Sequence, residues 1–385
     1  MNKLITIIGA GPVGAIFALL NKSLNSKILL LESNSENQVK NDKRALALSN
    51  GSKFILEKID IWKELHSKLT AINTIHTSQK GTFGRVLMKA EEFEEESLGF
   101  VISYGDLITA LNKKLSNSKD IEVFYNAKTL SFKANKKKQN LIFEYKLKKK
   151  SVNCNLLVIA DGGRSEINGI NIERTNKSFN HSALVTHIET DIPHSNVAYE
   201  RFTSMGPMAL LPNLNGQYSL VWTGPNDDIR NLSKLNNPDF LITLQEHFGE
   251  RVGNFILCEK RITFPLKQSF ISKHPNNNIV VIGNSAQIMH PVAGQGLNTG
   301  IRDALVLADC IKKQDDNLDI KLMISKFNSM RKTETKNILK LTEFMATIFS
   351  NDFVGLNKFR GIALSFLDLI PPIKKRFVKK MSYGK

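Results

Sequence analysis

A chain of 385 residues with 42% hydrophobic content holds enough apolar material for a sizeable core, which excludes wholesale disorder, and its length fits one large domain or two of ordinary size. The formal charge of +17 reads either as a surface that attracts anions (nucleotide phosphate, acidic lipid headgroup, nucleic acid) or as compositional drift, because Lys and Asn recur throughout. Three dispersed cysteines, Cys154, Cys258 and Cys310, offer neither metal-ligand spacing nor a disulfide framework and suit a reducing compartment.

The apolar run 4–20 follows Lys3 and has the hydropathy of a signal peptide or anchor, yet Gly9, Gly11, Pro12 and Gly14 stand inside it at motif spacing. No later segment offers about 20 uninterrupted apolar residues, so the expectation is a cytoplasmic protein without a transmembrane span. In chain order, residues 4–8 predict a short strand, 9–14 a tight turn, 15–20 a helix and 27–31 a second strand that ends at Glu32. This is a βαβ unit of about 30 residues. A helix is expected around 52–65. Between 129 and 150, alternating segments flank the lysine-rich turn 136–138 and predict a solvated hairpin; the basic tract 148–150 lacks interleaved aromatics, which argues against a nucleic-acid platform. Residues 156–159 form a fully apolar short strand that ends at Ala160-Asp161-Gly162-Gly163. From 178 to 263 the pattern turns β-like (183–189, 208–211, 218–223), as expected of a sheet-rich insertion. Residues 279–282 return to the buried-strand type, followed by a glycine-rich turn, a helix over 297–312 and helical sequence from 320 onward. No internal repeat is visible.

Two motifs carry chemistry. In Gly9-Ala10-Gly11-Pro12-Val13-Gly14, Gly9 permits the tight turn, Gly11 lets a pyrophosphate approach the backbone, and Gly14 allows close helix–strand packing. The helix start then offers free N–H groups and a positive dipole end to phosphate, while Glu32 can accept hydrogen bonds from a ribose. The motif alone leaves FAD and NAD open. The second is the string 283–303, which runs Gly283-Asn284-Ser285-Ala286-Gln287-Ile288-Met289-His290-Pro291-Val292-Ala293-Gly294-Gln295-Gly296-Leu297-Asn298-Thr299-Gly300-Ile301-Arg302-Asp303. It places a polar loop at the carboxyl end of a sheet, and Gly294 and Gly296 would let backbone amides reach a planar ligand. A helix beginning near Leu297 would aim its positive end at negative charge on the N1–C2 carbonyl side of a reduced flavin. His290 taken alone reads equally as a core or capping histidine.

The second string resembles the signature of the ubiquinone-biosynthesis hydroxylase family of flavin monooxygenases, H-P-[LIV]-[AG]-G-Q-G-x-N-x-G-x-x-D, which His290 to Asp303 fit at every fixed position. Further blocks similar to that family are Asp42 to Ser49, Ala198 to Thr203, Gly206-Pro207 with Ala209 to Pro212, Tyr218 to Trp222 and Phe264-Pro265-Leu266, so the resemblance covers nearly the whole chain. It implies an α/β fold: a Rossmann-like FAD-binding domain (p-hydroxybenzoate hydroxylase-like) with an inserted β-sheet substrate domain and C-terminal helices. The expected division is 1–177 and 264–345 for the FAD-binding domain, 178–263 for the β-rich substrate domain and 346–385 for a basic helical tail.

The resemblance implies FAD as cofactor and NAD(P)H as co-substrate. Gly9, Gly11, Pro12, Gly14 and Glu32 would hold the ADP half, with Arg44 near the phosphates, although Arg44 reads equally as a surface ion pair. Asp161 and Gly162 would form the strand-end motif near FAD and the pyridine nucleotide. Asn284 would face the ribityl chain, and the stretch from Pro291 through Gly294, Gln295, Gly296 and Leu297 to Asn298 would line the isoalloxazine. His290 and Pro291 are the catalytic candidates, and no metal site is expected. The implied reaction is ring hydroxylation of a polyprenylated phenol with O2 through a flavin C4a-hydroperoxide, nearest the 2-polyprenyl-6-methoxyphenol hydroxylase branch. A ubiquinone-biosynthesis complex is the expected assembly.

Three positions depart from the family pattern. Gly283-Asn284 replaces the usual Gly-Asp, Asn168 stands where an arginine often follows Ser165, and Ser103-Tyr104-Gly105-Asp106-Leu107 lacks the Arg or Glu-Asn of relatives. The C-terminal segment pairs apolar residues 362–370 with Lys374-Lys375-Arg376 and Lys379-Lys380, which predicts peripheral contact of 359–380 with an anionic membrane, or else a packing helix with a soluble basic tail. The rival functions are a noncatalytic FAD-binding subunit of a quinone-biosynthesis assembly and an FAD-dependent isoprenoid-lipid reductase or epoxidase.

Overall fold

The computed structural model describes residues 3–22, 26–82, 84–134, 139–275, 278–289, 294–313, 319–350, 368 and 370–384, with side chains described only to 338 in the helix Ile320–Ser350. Its organising element is a five-stranded sheet in the order Ile279–Val281, Leu156–Ile159, Lys3–Ile8, Ser26–Leu31, Ile121–Phe124, with every neighbouring pair parallel. Strands covered on both faces must be apolar throughout, and Leu156–Ile159 is buried at all four positions. Ile5, Ile7, Ile28, Leu30 and Val158 point into a core shared with the helices Pro12–Leu20, Tyr104–Ser116 and Gln295–Lys312. Ile8, Leu29, Leu31 and Leu157 point the other way, onto an antiparallel meander of Ala127–Ala134, Gln139–Tyr145 and Lys148–Cys154. That meander is the region read from sequence as a hairpin; its residues 136–138 lie outside the described set.

A nine-stranded sheet draws on three stretches of chain. Its centre is formed by Glu173–Thr190, Tyr218–Pro225, Gly206–Pro212 and Val197–Thr203; Ile262–Lys273 and Gln287–Ile288 extend one side, and Thr74–Gln79 and Arg85–Lys89, from the first quarter of the chain, extend the other. One face is covered by two helices that the β-like reading of 178–263 did not include, Asn226–Lys234 and Asn237–Phe248. Their buried Ile229, Leu232, Phe240, Leu244 and Phe248 recur at helical spacing and pack on Leu184, Met208, Leu220 and Trp222. The helix expected over 52–65 is two, Asn50–Lys58 and Trp62–Leu65. Asp60 takes φ 55 between them, a turn that brings Ile59, Ile61, Trp62 and Leu65 into the same core.

Candidate active site

The glycine-rich turn is shaped by backbone contact. Gly9 has φ +100, and a Cβ there would come within 2.6 Å of the Ala160 carbonyl oxygen; a Cβ on Gly14 would fall on the Gly9 carbonyl oxygen. Gly11 differs, because its nearest neighbour would be the Tyr104 hydroxyl at 3.7 Å, which leaves room in front of the turn. Gly11 caps the helix Pro12–Leu20 without a side-chain hydrogen bond, and no acid occupies the first turn, so its amides remain available to an anion. Glu32 is fixed at the end of the neighbouring strand: its Oε2 accepts from Ala10 N at 2.8 Å and its Oε1 from Asn34 N at 2.9 Å.

The second string places another helix start beside the first. Gly294 (φ +59) caps Gln295–Lys312, again with no side-chain cap and no acid in the first turn. The two helices meet where a Cβ on Gly300 would lie 2.7 Å from Val13 Cγ2 and 3.1 Å from Gly283 Cα. Two uncapped helix N-termini thus converge on one edge of the parallel sheet, and their partial positive charges add. This cradle fits a dinucleotide's pyrophosphate, because Gly9, Gly14 and Gly300 let the surrounding backbone close up while Gly11 keeps open space in front of free amides.

Asn298 holds the loop in shape. Its Nδ2 donates to Ala47 O and Gly294 O, each at 2.9 Å, while its Oδ1 accepts from Ser49 N at 2.9 Å and Ser52 Oγ at 2.7 Å. Gln295 is buried, Leu297 is half-buried against the main core, and Asn284 is exposed, its Oδ1 3.8 Å from the position of a Cβ on Gly296. His290 and Pro291, with Val292 and Ala293, lie outside the described residues.

Asp161 and Gly162 lie beside this loop. Asp161 Oδ1 accepts from Ser285 Oγ at 2.6 Å and Gly163 N at 2.9 Å, and Oδ2 accepts from Ser165 N at 2.7 Å. Gly162 has φ +74. Arg174 donates to the Ser285 carbonyl at 2.5 Å, clamping the same corner. Arg44 makes a two-pronged ion pair with Asp42, Nε to Oδ1 at 2.9 Å and Nη2 to Oδ2 at 2.5 Å, and lies 5.1 Å from the Tyr104 ring centroid. That pairing raises the Arg44 pKa further, and burial pushes the Tyr104 hydroxyl up. Arg44 is therefore both ion-paired and close to the Gly11 turn.

Sequence reasoning gave no site role to Ser285, Arg174, Tyr104 or the buried Asp303. Asp303 Oδ2 accepts from Gly283 N and Gln287 Nε2, each at 2.9 Å, and Oδ1 accepts from Arg331 Nε at 2.6 Å. Arg331 and Arg302 share Glu334. Ser285 and Asp303 stood inside the quoted string; Ser285 closes the short turn Gly283–Ser285 after the strand Ile279–Val281, whose neighbour Leu156–Ile159 leads into Asp161.

The FAD binding domain family matches residues 3–314, and the squalene epoxidase family matches residues 256–374. Ubiquinone hydroxylase UbiL of Rhodospirillum rubrum is 29% identical over 235 residues, 60% of this chain and 54% of that protein. The mitochondrial ubiquinone biosynthesis monooxygenase COQ6 of Dictyostelium discoideum is 22% identical over 449 residues, covering 97% of this chain and 90% of that protein. The crystal structure of p-nitrophenol 4-monooxygenase PnpA from Pseudomonas putida DLL-E4 covers 99% of both chains with a TM-score of 0.81 at 14% identity, a likeness of fold.

Proposed function

This chain belongs to the FAD-binding-domain family, with FAD as its cofactor, and from that premise we propose that it is an FAD-dependent monooxygenase that hydroxylates the aromatic ring of a polyprenylated phenol in ubiquinone biosynthesis. The observation that carries the reading is a pair of uncapped helix starts, on helices that pack where Val13 meets Gly300, in a chain that aligns over 97% of its length with a ubiquinone biosynthesis monooxygenase. FAD, when bound, would supply the redox chemistry, with NAD(P)H as the electron donor and O2 as the oxidant. Gly11 and the start of Pro12–Leu20 would hold the pyrophosphate, and Glu32 the adenosine ribose. The amides at Gln295 and Gly296 would stabilise negative charge on the flavin ring. Asp161 and Ser285 would keep the two strand ends in register beside it.

The exposed Lys375, Arg376, Lys379 and Lys380 of the helix Pro371–Tyr383 support peripheral contact with an anionic membrane, where a polyprenyl substrate resides. Lys374 takes no part, because it is buried and paired with Glu92 and Asp368. No helix among the described residues is long and apolar enough to cross a membrane.

The test is purified holoprotein supplied with NAD(P)H, labelled O2 and a prenylated methoxyphenol. Label in the product ring is expected; FAD binding without turnover of any phenol would leave the noncatalytic-subunit reading instead. The squalene epoxidase match over 256–374 favours a second reading, epoxidation of an isoprenoid double bond, which the same experiment would reveal as label in the chain rather than the ring.

A further inference from the structure

The strand Val197–Thr203 turns Tyr199 and Arg201 to the helix-backed face of the nine-stranded sheet, where Tyr199 packs on Tyr218 and Phe248. Register sets Ser78 beside Arg201 on one side and beside Arg85 on the other, so two arginines flank one serine at the end of the sheet. His76, two residues before Ser78, stands on the same face beside Tyr199, with ring centroids 5.5 Å apart. The strand Gln287–Ile288, which adjoins the glycine-rich loop, lies at the opposite end of this sheet. The corner is therefore separate from the FAD cradle.

Arg201 is buried, yet no described carboxylate pairs with it. Its Nε donates to the His247 carbonyl at 3.4 Å, in the last turn of the helix Asn237–Phe248, and its Nη1 to Ser78 Oγ at 3.1 Å. Its Nη2 faces the turn at Gly249, which Arg251 also approaches. A Cβ on Gly249 would lie 3.8 Å from Arg201 Nη2 and 3.9 Å from Arg251 Nη1, so the glycine keeps open the space between two guanidinium groups. Arg85 and Arg251 are exposed, and among the described residues none of the three arginines enters an ion pair. His76 is nine-tenths buried, and its Nδ1 has no hydrogen-bond partner among the described residues.

A buried charge is costly unless a counter-charge sits beside it. The helix end at His247 supplies about half a negative charge, which leaves most of three guanidinium charges uncompensated. Burial first, then Arg251, push the Arg201 pKa down to about 10, and no acid acts in the opposite sense. Burial, with Arg251, Arg85 and Arg201 adding to it, holds the His76 pKa below its ordinary value. All three arginines thus act on one buried ring.

We propose that Arg85, Arg201 and Arg251, with Ser78 and His76 at the base, form a binding site for a phosphate group. The arginines come from two strands and a turn, so they approach from different directions. A tetrahedral dianion has enough oxygens and charge to meet all three, whereas a carboxylate offers two coplanar oxygens and one charge. The phosphate belongs to a soluble molecule or to a lipid headgroup. The edge strand Arg85–Lys89 also carries the start of the basic C-terminal segment, because Leu87 N donates to Asp368 Oδ1 at 3.1 Å. The site holds whichever substrate the flavin oxidises.

The test uses full-length, FAD-loaded protein. Inorganic phosphate should raise the wild-type Tm saturably, and chloride at matched ionic strength should not. Arg251→Ala and Arg85→Ala, both at exposed positions, should each weaken phosphate binding about 10-fold or more. Arg251→Glu should abolish the response and, by giving Arg201 the carboxylate it lacks, raise the Tm in phosphate-free buffer. Vesicles containing phosphatidic acid, compared with phosphatidylserine vesicles of equal surface charge, separate the two sources. Preferential pelleting with phosphatidic acid that Arg251→Glu removes assigns the site to a lipid headgroup. Equal pelleting, with the response to inorganic phosphate retained, assigns it to a soluble phosphate. A wild-type Tm that responds to phosphate no more than to chloride overturns the site, as does a wild-type response in Arg251→Glu.

Discussion

The five-stranded parallel sheet and the nine-stranded sheet hold their functional groups by different means. In the first, the site is made of backbone: Gly9, Gly14 and Gly300 are there because a side chain has no room, and the groups on offer are amides at two helix starts. In the second, the group with altered chemistry is a side chain, Glu200, whose carboxyl is desolvated among the strands on either side of it. A backbone site tolerates no added atom, whereas a side-chain site tolerates an isosteric replacement and loses only its chemistry.

The largest effect expected from that contrast is at Gly14. Gly14→Val drives side-chain atoms into the Gly9 carbonyl, and the expected outcome is loss of FAD-loaded protein, checked by flavin content after purification. Next is Asp303→Ala, which leaves buried Arg331 with Glu334 as its remaining ion-pair partner and takes the acceptor from Gly283 N and Gln287 Nε2. A loss of about 3–5 kcal/mol is expected, measured by denaturant unfolding of the holoprotein. Asn298→Ala removes three hydrogen bonds to the segment 47–52 and one to Gly294, and should lower stability by roughly 2–3 kcal/mol and weaken FAD affinity, read by flavin fluorescence titration.

The smallest effect, and the one that sharpens the comparison most, is at Glu200. Its folded pKa lies above the unfolded value, so the fold carries no penalty below pH ~4.5 and an increasing one as the carboxyl ionises toward pH 7. Glu200→Gln should therefore raise stability by about 1–3 kcal/mol at pH 8 and leave it unchanged near pH 4.5. Equal Tm changes at the two pH values would show that the carboxyl is not desolvated.

Local sequence carried the first sheet well. Gly9-Ala10-Gly11-Pro12-Val13-Gly14 between a strand and a helix leaves few alternatives, and residues 156–159 and 279–282 were readable as strands because parallel strands are apolar on both faces. The helices Asn226–Lys234 and Asn237–Phe248 were masked by the β-like segments around them, and the break at Asp60 by the helical periodicity running through it. Within the site, Asn298 stood out by motif, but the reason for it did not: all four of its partners lie in or beside two turns, at 47–52 and at Gly294.

The sequence by itself determined the nucleotide-binding turn, the apolar strands at 4–8, 27–31, 156–159 and 279–282, and the glycine-rich loop that follows the last of them, because each depends on residues within a few positions of one another. Only the tertiary structure decided that Asp161 meets Ser285 across 124 residues, that Arg44 is paired with Asp42 beside Tyr104, and that Glu200 stands between Ala209 and Thr77 on interior strands. Those facts depend on which strands lie side by side and on the register between them, and register is fixed by packing across the whole sheet.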